Sequence, residues 1–373
     1  GLTTDALVDE ALALGECLGR PLRYVQLNSF YNGSTGTIMR NLHHELTERG
    51  VDSYIFWGRR HNTISDHEQC CASKAGYLSH GAMTRLHDRM GFYSKRDTAK
   101  LLKRLDEIDP DVVHLHNIHG YYVNIEMLFS WLASHRCQVK WTLHDCWAFT
   151  GHCAYSKCCP QLDTYPITIS KTNCARNYED KKRIFTSVPP ERMTLITPSQ
   201  WLADLVGESF LKDYPVEVRH NVIDTDVFKP TPSDFRERYG IGDRFMVLGV
   251  ASPWTKRKGL PDFVRLAEEL DSDKFVVALV GLSDRQLKAL PRGVVGLKRT
   301  NSPQELAGIY TTADVYFNPT VEDNYPTVNL EAEACGTPVI TYDTGGCRET
   351  LHRADSSFVA GFDQALSMIE KGF

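Results

Sequence analysis

The feature that most constrains the fold of this chain is a regular alternation of short apolar runs with amphipathic, helix-like stretches. The alternation fills the first half of the chain and restarts in the second. It gives ten strand candidates, at residues 23–28, 53–57, 111–116, 139–143, 193–197, 245–250, 275–280, 294–297, 315–317 and 338–341. Strands that alternate with helices form parallel sheets covered on both faces. The sequence therefore predicts an α/β protein of two doubly wound, Rossmann-like domains facing across a cleft.

The join between the two halves is marked by prolines. Val227–Ser233 contains two of them and is typical of an interdomain linker. We expect an N-terminal accessory helix over residues 1–20, a first domain over residues 21–225 and a second domain over residues 226–373. Two polar stretches, Arg60–Ser79 and Gly151–Tyr178, interrupt the first alternation, and we expect them to be surface insertions that carry binding residues.

Charge and hydropathy narrow the range of partners. The formal net charge is −5, whereas nucleic-acid-binding domains carry a basic excess, so we expect no nucleic-acid partner. No apolar run approaches the roughly 20 residues that cross a bilayer. Acidic residues are spread through the first 20 positions, which argues against a signal peptide. We expect a cytoplasmic protein, and a peripheral contact with the inner face of the membrane stays open.

The eleven cysteines do not form an obvious disulfide framework, because their number is odd and they are scattered. Several gather near the second insertion, together with His152: Cys146, Cys153, Cys158, Cys159 and Cys174. A structural zinc site is one alternative, but no Cys-x-x-Cys pair is present, so free thiols are expected. Asp224 and Asp226 match an Asp-x-Asp metal motif only superficially. We predict no metal and no cofactor.

Loops that follow the strands are the places to look for ligand contacts, because doubly wound sheets bind at the carboxyl ends of their strands. Lys256–Lys258 follows the strand candidate at 245–250. Arg257 could bind a diphosphate as a fork and Lys258 as a point charge, the alternative being a solvated basic turn. Gly33 and Gly36 follow the first strand, where a phosphate cradle and a plain tight turn both remain open.

Two acidic residues stand around the start of a predicted helix at residues 327–334. Asp323 precedes the helix and Glu331 lies within it, while Pro326 suits a helix start and Thr327 is expected to help cap it. Carboxylates here could accept hydrogen bonds from sugar or ribose hydroxyls. The alternative is that both acids simply compensate the helix dipole.

The same tract resembles the signature of the family-4 retaining glycosyltransferases, which share a two-domain GT-B scaffold with glycogen synthase. That signature is an acid, seven other residues and Glu, followed by an Ala-Cys-Gly-Thr-Pro-Val-like tail. Further similar segments occur in the family's order: Leu143–Tyr155, which looks like a polysaccharide-biosynthesis branch, His220–Pro230, Arg299–Leu306, Asp323–Val339 and Thr344–Glu349. The family's first acid is usually Glu, whereas this chain has Asp323 with Glu322 beside it.

The resemblance implies a role for each matching residue. His144, Asp323, Arg257 and Lys258 would be catalytic, with His144 facing the donor sugar and Asp323 binding its hydroxyls. Glu331 would hold the ribose. The other donor-binding residues would be Gly33, Gly36, Asn221, Arg299, Asn324, Tyr325, Pro326 and Thr327. The reaction would be a metal-independent hexosyl transfer that retains anomeric configuration, from a nucleotide-diphosphate sugar, with UDP favoured, to a glycan or lipid-linked acceptor in capsule or exopolysaccharide synthesis.

Other functions on the same scaffold stay open. A sugar phosphorylase would need a pyridoxal-bearing lysine, for which there is no motif, and a nucleotide-sugar epimerase is a further alternative. A catalytically weak sugar-nucleotide-binding protein is favoured by Asp323 and by loops that look short, around residues 156–159 and after Leu351. His114, His116 and His119 form a cluster for which structural or acceptor-loop roles are expected.

Overall fold

The computed structural model describes residues 2–59, 61–156 and 173–372. The chain separates into two compact units, Gly1–His220 and Asn221–Phe373. The sequence placed the domain boundary five residues later, after residue 225. In the part of the chain that is described, no helix is both long and apolar enough to span a bilayer.

The first unit is built on a sheet of seven strands, in the order β3-β2-β1-β4-β5-β6-β7, and every pairing is parallel. These strands are β1 (Arg23–Phe30), β2 (Asp52–Arg59), β3 (Glu68–Cys70), β4 (Val112–Leu115), β5 (Gln138–Thr142), β6 (Met193–Thr197) and β7 (Val216–Val218). The helices are α1 (Leu2–Leu18), α2 (Ser34–Glu48), α3 (Lys74–His87), α4 (Lys95–Ile108), α5 (Ile125–Ser134), α6 (Cys174–Phe185) and α7 (Gln200–Gly207). The chain order reverses beside β1, which lies between β2 and β4.

Helix α1 is part of the hydrophobic core of the first unit. Its amphipathic pattern buries Leu7, Val8 and Ala11 against residues of β1, α2 and β4. Glu10 of the same helix pairs with Lys140 and with Arg219. Burial of apolar side chains on one stripe is what fixes a surface helix to a domain.

The two predicted insertions contain some regular structure. Arg60–Ser79 is not wholly irregular, because it contains β3 and the first residues of α3. Strand β3 pairs with β2 over only three positions, with Cys70 opposite Trp57. Such a short edge strand has too few residues to show a period of two. The second insertion includes residues 157–172, which lie outside the described residues, and α6 begins just after them at Cys174.

The second unit has a six-stranded sheet in the order β10-β9-β8-β11-β12-β13, again entirely parallel. Its strands are β8 (Phe245–Val250), β9 (Phe275–Val280), β10 (Val295–Leu297), β11 (Val315–Asn318), β12 (Val339–Tyr342) and β13 (Ser357–Val359). Its helices are α8 (Phe235–Arg238), α9 (Leu260–Glu269), α10 (Asp284–Lys288), α11 (Pro303–Thr312), α12 (Thr327–Ala334) and α13 (Phe362–Glu370). The switch point, where the strand order reverses, lies between β8 and β11.

Two hydrophobic clusters cover the two faces of the second sheet. Val247 and Phe317 belong to one cluster, whereas their chain neighbours Met246 and Tyr316 belong to the other. Successive strand residues point to opposite faces, so burial of both sets means that helices cover both sides. The prediction of an α/β protein with two doubly wound parallel sheets is confirmed.

Candidate functional site

The switch point of the second sheet brings together the basic turn after β8 and the segment that follows β11. The ammonium nitrogen of Lys258 lies 2.6 Å from a carboxylate oxygen of Asp323. Arg257 Nη1 lies 3.6 Å from the same oxygen and donates a hydrogen bond of 2.6 Å to the carbonyl of Glu322. Three residues that the sequence assigned to sugar and diphosphate thus form one cluster at the edge where such sheets bind ligands.

Backbone hydrogen bonds hold the two segments of this cluster in place. The amide of Val321 donates to the carbonyl of Arg257 at 2.8 Å, and the amide of Gly346 donates to the carbonyl of Asp323 at 2.9 Å. Gly345 has φ of +56°, and a Cβ built on it would lie 2.1 Å from the carbonyl oxygen of Asp323. Only glycine fits this close approach, so the Thr344–Gly346 segment sets the backbone position of Asp323.

The cluster carries a net positive charge. Burial alone would raise the pKa of Asp323, but the charges of Lys258 and Arg257 lower it by more. The net shift of the pKa is therefore downward, and the carboxyl group is ionised. The side chains of Lys258 and Asp323 are 26% and 19% exposed, so a ligand can still reach them. Two cations gathered around one carboxylate just before the N-terminus of α12 favour an anion.

Glu331 lies one turn into α12. The hydroxyl of Tyr310 donates a hydrogen bond of 3.0 Å to Oε2 of Glu331. Burial raises the pKa of Glu331, and the hydrogen bonds from Tyr310 and Thr327 offset only part of that effect. The expectation that Thr327 caps the helix is wrong: Pro326 occupies the N-cap position without a side-chain capping bond, and Thr327 is bonded to Glu331 instead.

The remaining predicted donor-binding residues of this unit are placed differently. Asn324 and Tyr325 link Asp323 to α12, and Tyr325 is buried. Arg299 follows β10, two strands away from β8, and Asn221 is the first residue of the unit. Within the described ranges, no hydrogen bond or ion pair joins Asn221 or Arg299 to the Lys258–Asp323 cluster.

Gly33 and Gly36 of the first unit begin α2, as predicted. Gly33 is the N-cap residue with φ of +90°, and no side chain caps the helix there. A Cβ on Gly36 would lie 2.3 Å from the carbonyl oxygen of Tyr31. Close packing of the turn therefore accounts for Gly36, and a phosphate-binding role for either glycine stays a prediction.

His144 follows β5 and belongs to a chain of hydrogen bonds that fixes its tautomer. Gln26 Nε2 donates to the backbone carbonyl of Met39 at 3.1 Å, so Gln26 Oε1 must accept from His116 Nε2 at 3.0 Å. His116 Nδ1 then carries a lone pair and accepts from His144 Nε2, 3.2 Å away. We assign the proton of His144 to Nε2 on this basis, which makes its Nδ1 an acceptor.

Burial keeps these histidines neutral. It lowers the pKa of His144 to about 4 and that of His116 well below its usual range. His114, also buried, bonds to Tyr24 and Thr142 and has a structural position. Sequence reasoning missed Gln26, although a polar residue inside the apolar run of β1 was a signal for it.

Asp145 orders the loop after β5. Its carboxylate accepts from the amide of Trp147 at 2.9 Å and lies 3.0 Å from Nε2 of His119. Burial raises the pKa of Asp145, but His119 and these hydrogen bonds lower it, and the net shift is downward. The loop that carries His144 is thus held by an ionised carboxylate.

The cysteine cluster is only partly visible. Cys146 and Cys153 are buried and Cys174 is half-buried, while Cys158 and Cys159 lie outside the described residues. His152 pairs with the buried Asp88 at the end of α3. Among the residues that the structure describes, no three His, Cys, Asp or Glu side chains are placed to hold a metal ion.

The fold and the switch-point cluster define a GT-B protein. Sucrose-phosphate synthase of Thermosynechococcus elongatus superposes with a TM-score of 0.66 at 15% identity, over 94% of this chain and 89% of that one. HepE of Anabaena, solved in complex with UDP, gives 0.58 at 14% identity over the same shares. At these identities the likeness shows the fold alone.

Sequence profiles give the family. "Glycosyltransferase Family 4" matches residues 35–227, and "Glycosyl transferases group 1" matches residues 244–371. The chain belongs to glycosyltransferase family 4 and is a glycosyltransferase. Among curated relatives, WcaC of Escherichia coli K12, named for glycosyl transfer in colanic acid biosynthesis, is 21% identical over 378 residues, which cover 91% of this chain and 87% of WcaC.

Proposed function

We propose that this enzyme is a retaining glycosyltransferase that moves a sugar from a UDP-sugar to a glycan or lipid-linked acceptor in polysaccharide biosynthesis. The observation that carries the proposal is the cluster of Lys258, Arg257 and Asp323 at the switch point of the second sheet. The name of WcaC supports the pathway class, and the UDP complex of HepE supports the nucleotide. A lipid-linked acceptor would bring the enzyme to a membrane surface.

The two cations suit a leaving diphosphate. As the bond between the sugar's anomeric carbon and the diphosphate breaks, negative charge grows on the phosphate oxygens. Arg257 and Lys258 stabilise that charge from fixed positions, with help from the N-terminus of α12. Lys258 then contacts the phosphate instead of Asp323, and Asp323 accepts a hydrogen bond from a sugar hydroxyl. Glu331 accepts a hydrogen bond from a ribose hydroxyl.

His144 has the properties of an acceptor for a neutral donor. Its Nε2 proton is directed towards His116, and we place Nδ1 as the atom that accepts a hydrogen bond from a hydroxyl of the transferred sugar. The low pKa of His144, about 4, keeps the ring uncharged at neutral pH. Following the family resemblance, the new bond forms on the same face of the sugar, and a phosphate oxygen takes the proton of the acceptor hydroxyl.

Calorimetric titration with UDP, GDP and ADP tests the donor site. We expect UDP to bind, and Lys258→Ala to weaken binding at least roughly tenfold, because one charge-assisted contact is worth about 1.5–3 kcal/mol. Lys274→Ala is the matched control, since Lys274 is an exposed lysine of the same unit that pairs with the nearby surface residue Asp271. It should bind UDP as the wild type does.

Two outcomes would count against the proposal. Equal affinity of Lys258→Ala and Lys274→Ala for UDP would remove Lys258 from the site. Tight UDP-sugar binding without donor turnover or hydrolysis would favour the catalytically weak binding protein, which the shorter carboxylate of Asp323 already suggested.

A further inference from the structure

Lys181 lies on the buried face of α6 in the first unit. The buried residues of this helix are Asn177, Lys181, Ile184 and Phe185, a stripe at helical spacing. Lys181 is 1% exposed. A lysine is almost never fully buried unless its amino group is paired. Its position in the stripe therefore indicates a specific contact for that group.

The amino group of Lys181 binds two backbone carbonyls. Its Nζ donates hydrogen bonds to the carbonyl of Trp147 at 2.7 Å and to that of Thr150 at 3.0 Å. It also lies 3.5 Å from the ring centre of Trp147, within the range of a cation–π contact. In the described part of the chain no carboxylate forms an ion pair with Lys181, and Asp145 and Asp88, whose charges act on it, each pair with a histidine. Lys181 is therefore bound to the backbone of one loop and not to an acid.

Both carbonyls belong to the loop after β5 that carries His144. They lie at the start and just past the end of a short 3₁₀ helix, Trp147–Phe149. The carboxylate of Asp145, the residue next to His144, accepts from the amide of Trp147 at 2.9 Å. Lys181 thus fixes the carbonyl side of Trp147, and Asp145 fixes its amide side. Because Asp145 is the chain neighbour of His144, a displacement of Trp147 shifts His144 as well.

The two bonds to the loop do not require the charge of Lys181. Burial lowers the pKa of Lys181 to about 7. When the amine is neutral it keeps two N–H groups, one for each carbonyl. The contact with the loop is therefore made by both protonation states, and only removal of the amino group abolishes it.

We propose that Lys181 is a positioning residue for sugar transfer, which holds the loop after β5 so that His144 presents its Nδ1 to the donor sugar. This rests on the proposed transferase function and adds to it a residue that acts through His144. The Nε2 of His144 lies 3.2 Å from Nδ1 of His116. That bond requires the loop to stay in place, so loss of the Lys181 contact disturbs both the position and the tautomer of His144.

Lys181→Met tests this role, because methionine fills the space of the lysine stem but has no N–H group. We expect turnover at saturating substrates to fall at least roughly tenfold, since a misplaced contact slows the reaction. UDP affinity, measured by calorimetry, should not change, because the cations proposed for the diphosphate belong to the second unit. Rates are compared well below the melting temperature of each variant, so that the protein is folded.

Lys140→Met is the matched control. Lys140 is another lysine of the first unit, with a side chain only 16% exposed, and it pairs with Glu10 of α1. The same substitution there removes an ion pair away from the loop and should keep the wild-type turnover. A fall in turnover equal to that of Lys181→Met would indicate a general structural effect and would overturn the proposal.

A double-mutant cycle shows whether Lys181 acts through His144. His144→Ala should lower turnover, and addition of Lys181→Met to it should cause little further loss, because the group that Lys181 positions is already gone. Additive losses would overturn the proposal, as would wild-type turnover in Lys181→Met. Wild-type turnover in His144→Ala alone would count against the sugar contact in the proposed function, and the measurement without substrate then decides on Lys181.

Histidine ¹⁵N NMR of the enzyme without substrate is that measurement, with the His144 signals assigned by their absence in His144→Ala. In the wild type we expect a single neutral tautomer of His144, with its proton on Nε2. Lys181→Met should give a mixture of tautomers, because the bond to His116 is lost when the loop shifts. Lys140→Met should keep the single tautomer. A single Nε2–H tautomer in Lys181→Met would show that the loop does not depend on Lys181 and would overturn the proposal.

Discussion

Asp323 shows how one side chain connects the charges of the proposed donor site. Its carboxylate is paired with Lys258 at 2.6 Å, and its backbone carbonyl is fixed by Gly346. Removing the carboxylate therefore leaves two cations without their acidic partner, which makes the local potential more positive. Among the described residues no cation pairs with Glu331, which is bonded to Tyr310, so its removal changes hydrogen bonding and not the charge around Lys258 and Arg257.

These environments predict different effects for the two acids. Asp323→Ala should bind UDP as tightly as the wild type or more tightly, while turnover falls at least roughly tenfold, because a contact that strengthens in the transition state is lost. Glu331→Gln should weaken UDP binding, because a charged acceptor for the ribose is replaced by a neutral one. Calorimetry and initial rates measure the two effects.

Tyr310→Phe is the control for the second substitution, since it removes the hydroxyl that bonds to Glu331 and leaves the carboxylate. If Asp323→Ala and Glu331→Gln have the same UDP affinity and the same turnover, both acids serve the start of α12 and the division of roles is wrong. Glu322, which is buried beside Asp323, would then be the next candidate for the sugar contact.

At the level of elements, a buried histidine joins α3 to the segment before α4. His80 is fully buried, its Nε2 accepts from the amide of Gly91 at 3.0 Å, and its Nδ1 donates to Ser94 at 2.7 Å. Burial lowers the pKa of His80 to about 3. Its neutral form thus stabilises the fold above pH 6.5, and that contribution is lost as the pH falls from about 6.5 towards 3.

We expect the melting temperature of the first unit to fall as the pH is lowered from 7 to 4. His80→Gln should melt lower at pH 7, by the equivalent of about 1–3 kcal/mol, and should show a shallower fall with acid, because the titrating group is gone. Calorimetric melts at a series of pH values measure both. His44→Gln, an exposed site on α2, should keep the wild-type slope, and an unchanged slope in His80→Gln would contradict the assignment.

The elements differ in how far the sequence determines them. Apolar runs such as Phe275–Val280 were predicted to the residue, because a buried parallel strand shows its pattern locally. Strands β7 and β13 have three residues each at sheet edges, where pairing with a neighbour decides the conformation and no pattern can form. The motif predicted Asp323 and Glu331, but the pairing of Asp323 with Lys258 joins segments 65 residues apart, which a local pattern does not reveal.

At the scale of the whole molecule, each unit has its own parallel sheet and its own hydrophobic clusters. Each unit also has its switch point beside its first strand, β1 in one and β8 in the other. The sequence predicted ligand contacts in both units by one rule, that parallel sheets bind ligands in the loops after their strands. Because the topology is repeated, that rule predicts one set of binding loops in each unit.

We expect the complete enzyme to keep its transfer activity after thorough chelation. In the proposed mechanism Arg257 and Lys258 supply the positive charge for the leaving diphosphate, which is why we predict that no divalent ion is needed for that purpose. Rates measured before and after treatment with EDTA, with the chelator removed by dialysis, test this. Activity that is lost on chelation and restored by magnesium or manganese would show that the cations are insufficient.

The position of β1 in the middle of its sheet has a consequence for how the protein is made. Its partner on one side, β2, follows soon after it, but β4 begins only at Val112. A ribosome adding about 5–20 residues per second needs roughly 4–16 s to make the intervening segment. During that time one edge of an apolar strand has no partner, and an unpaired strand edge can pair with another chain and aggregate. Expression at lower temperature or with chaperones therefore protects the first unit during the time when β1 lacks its partner β4.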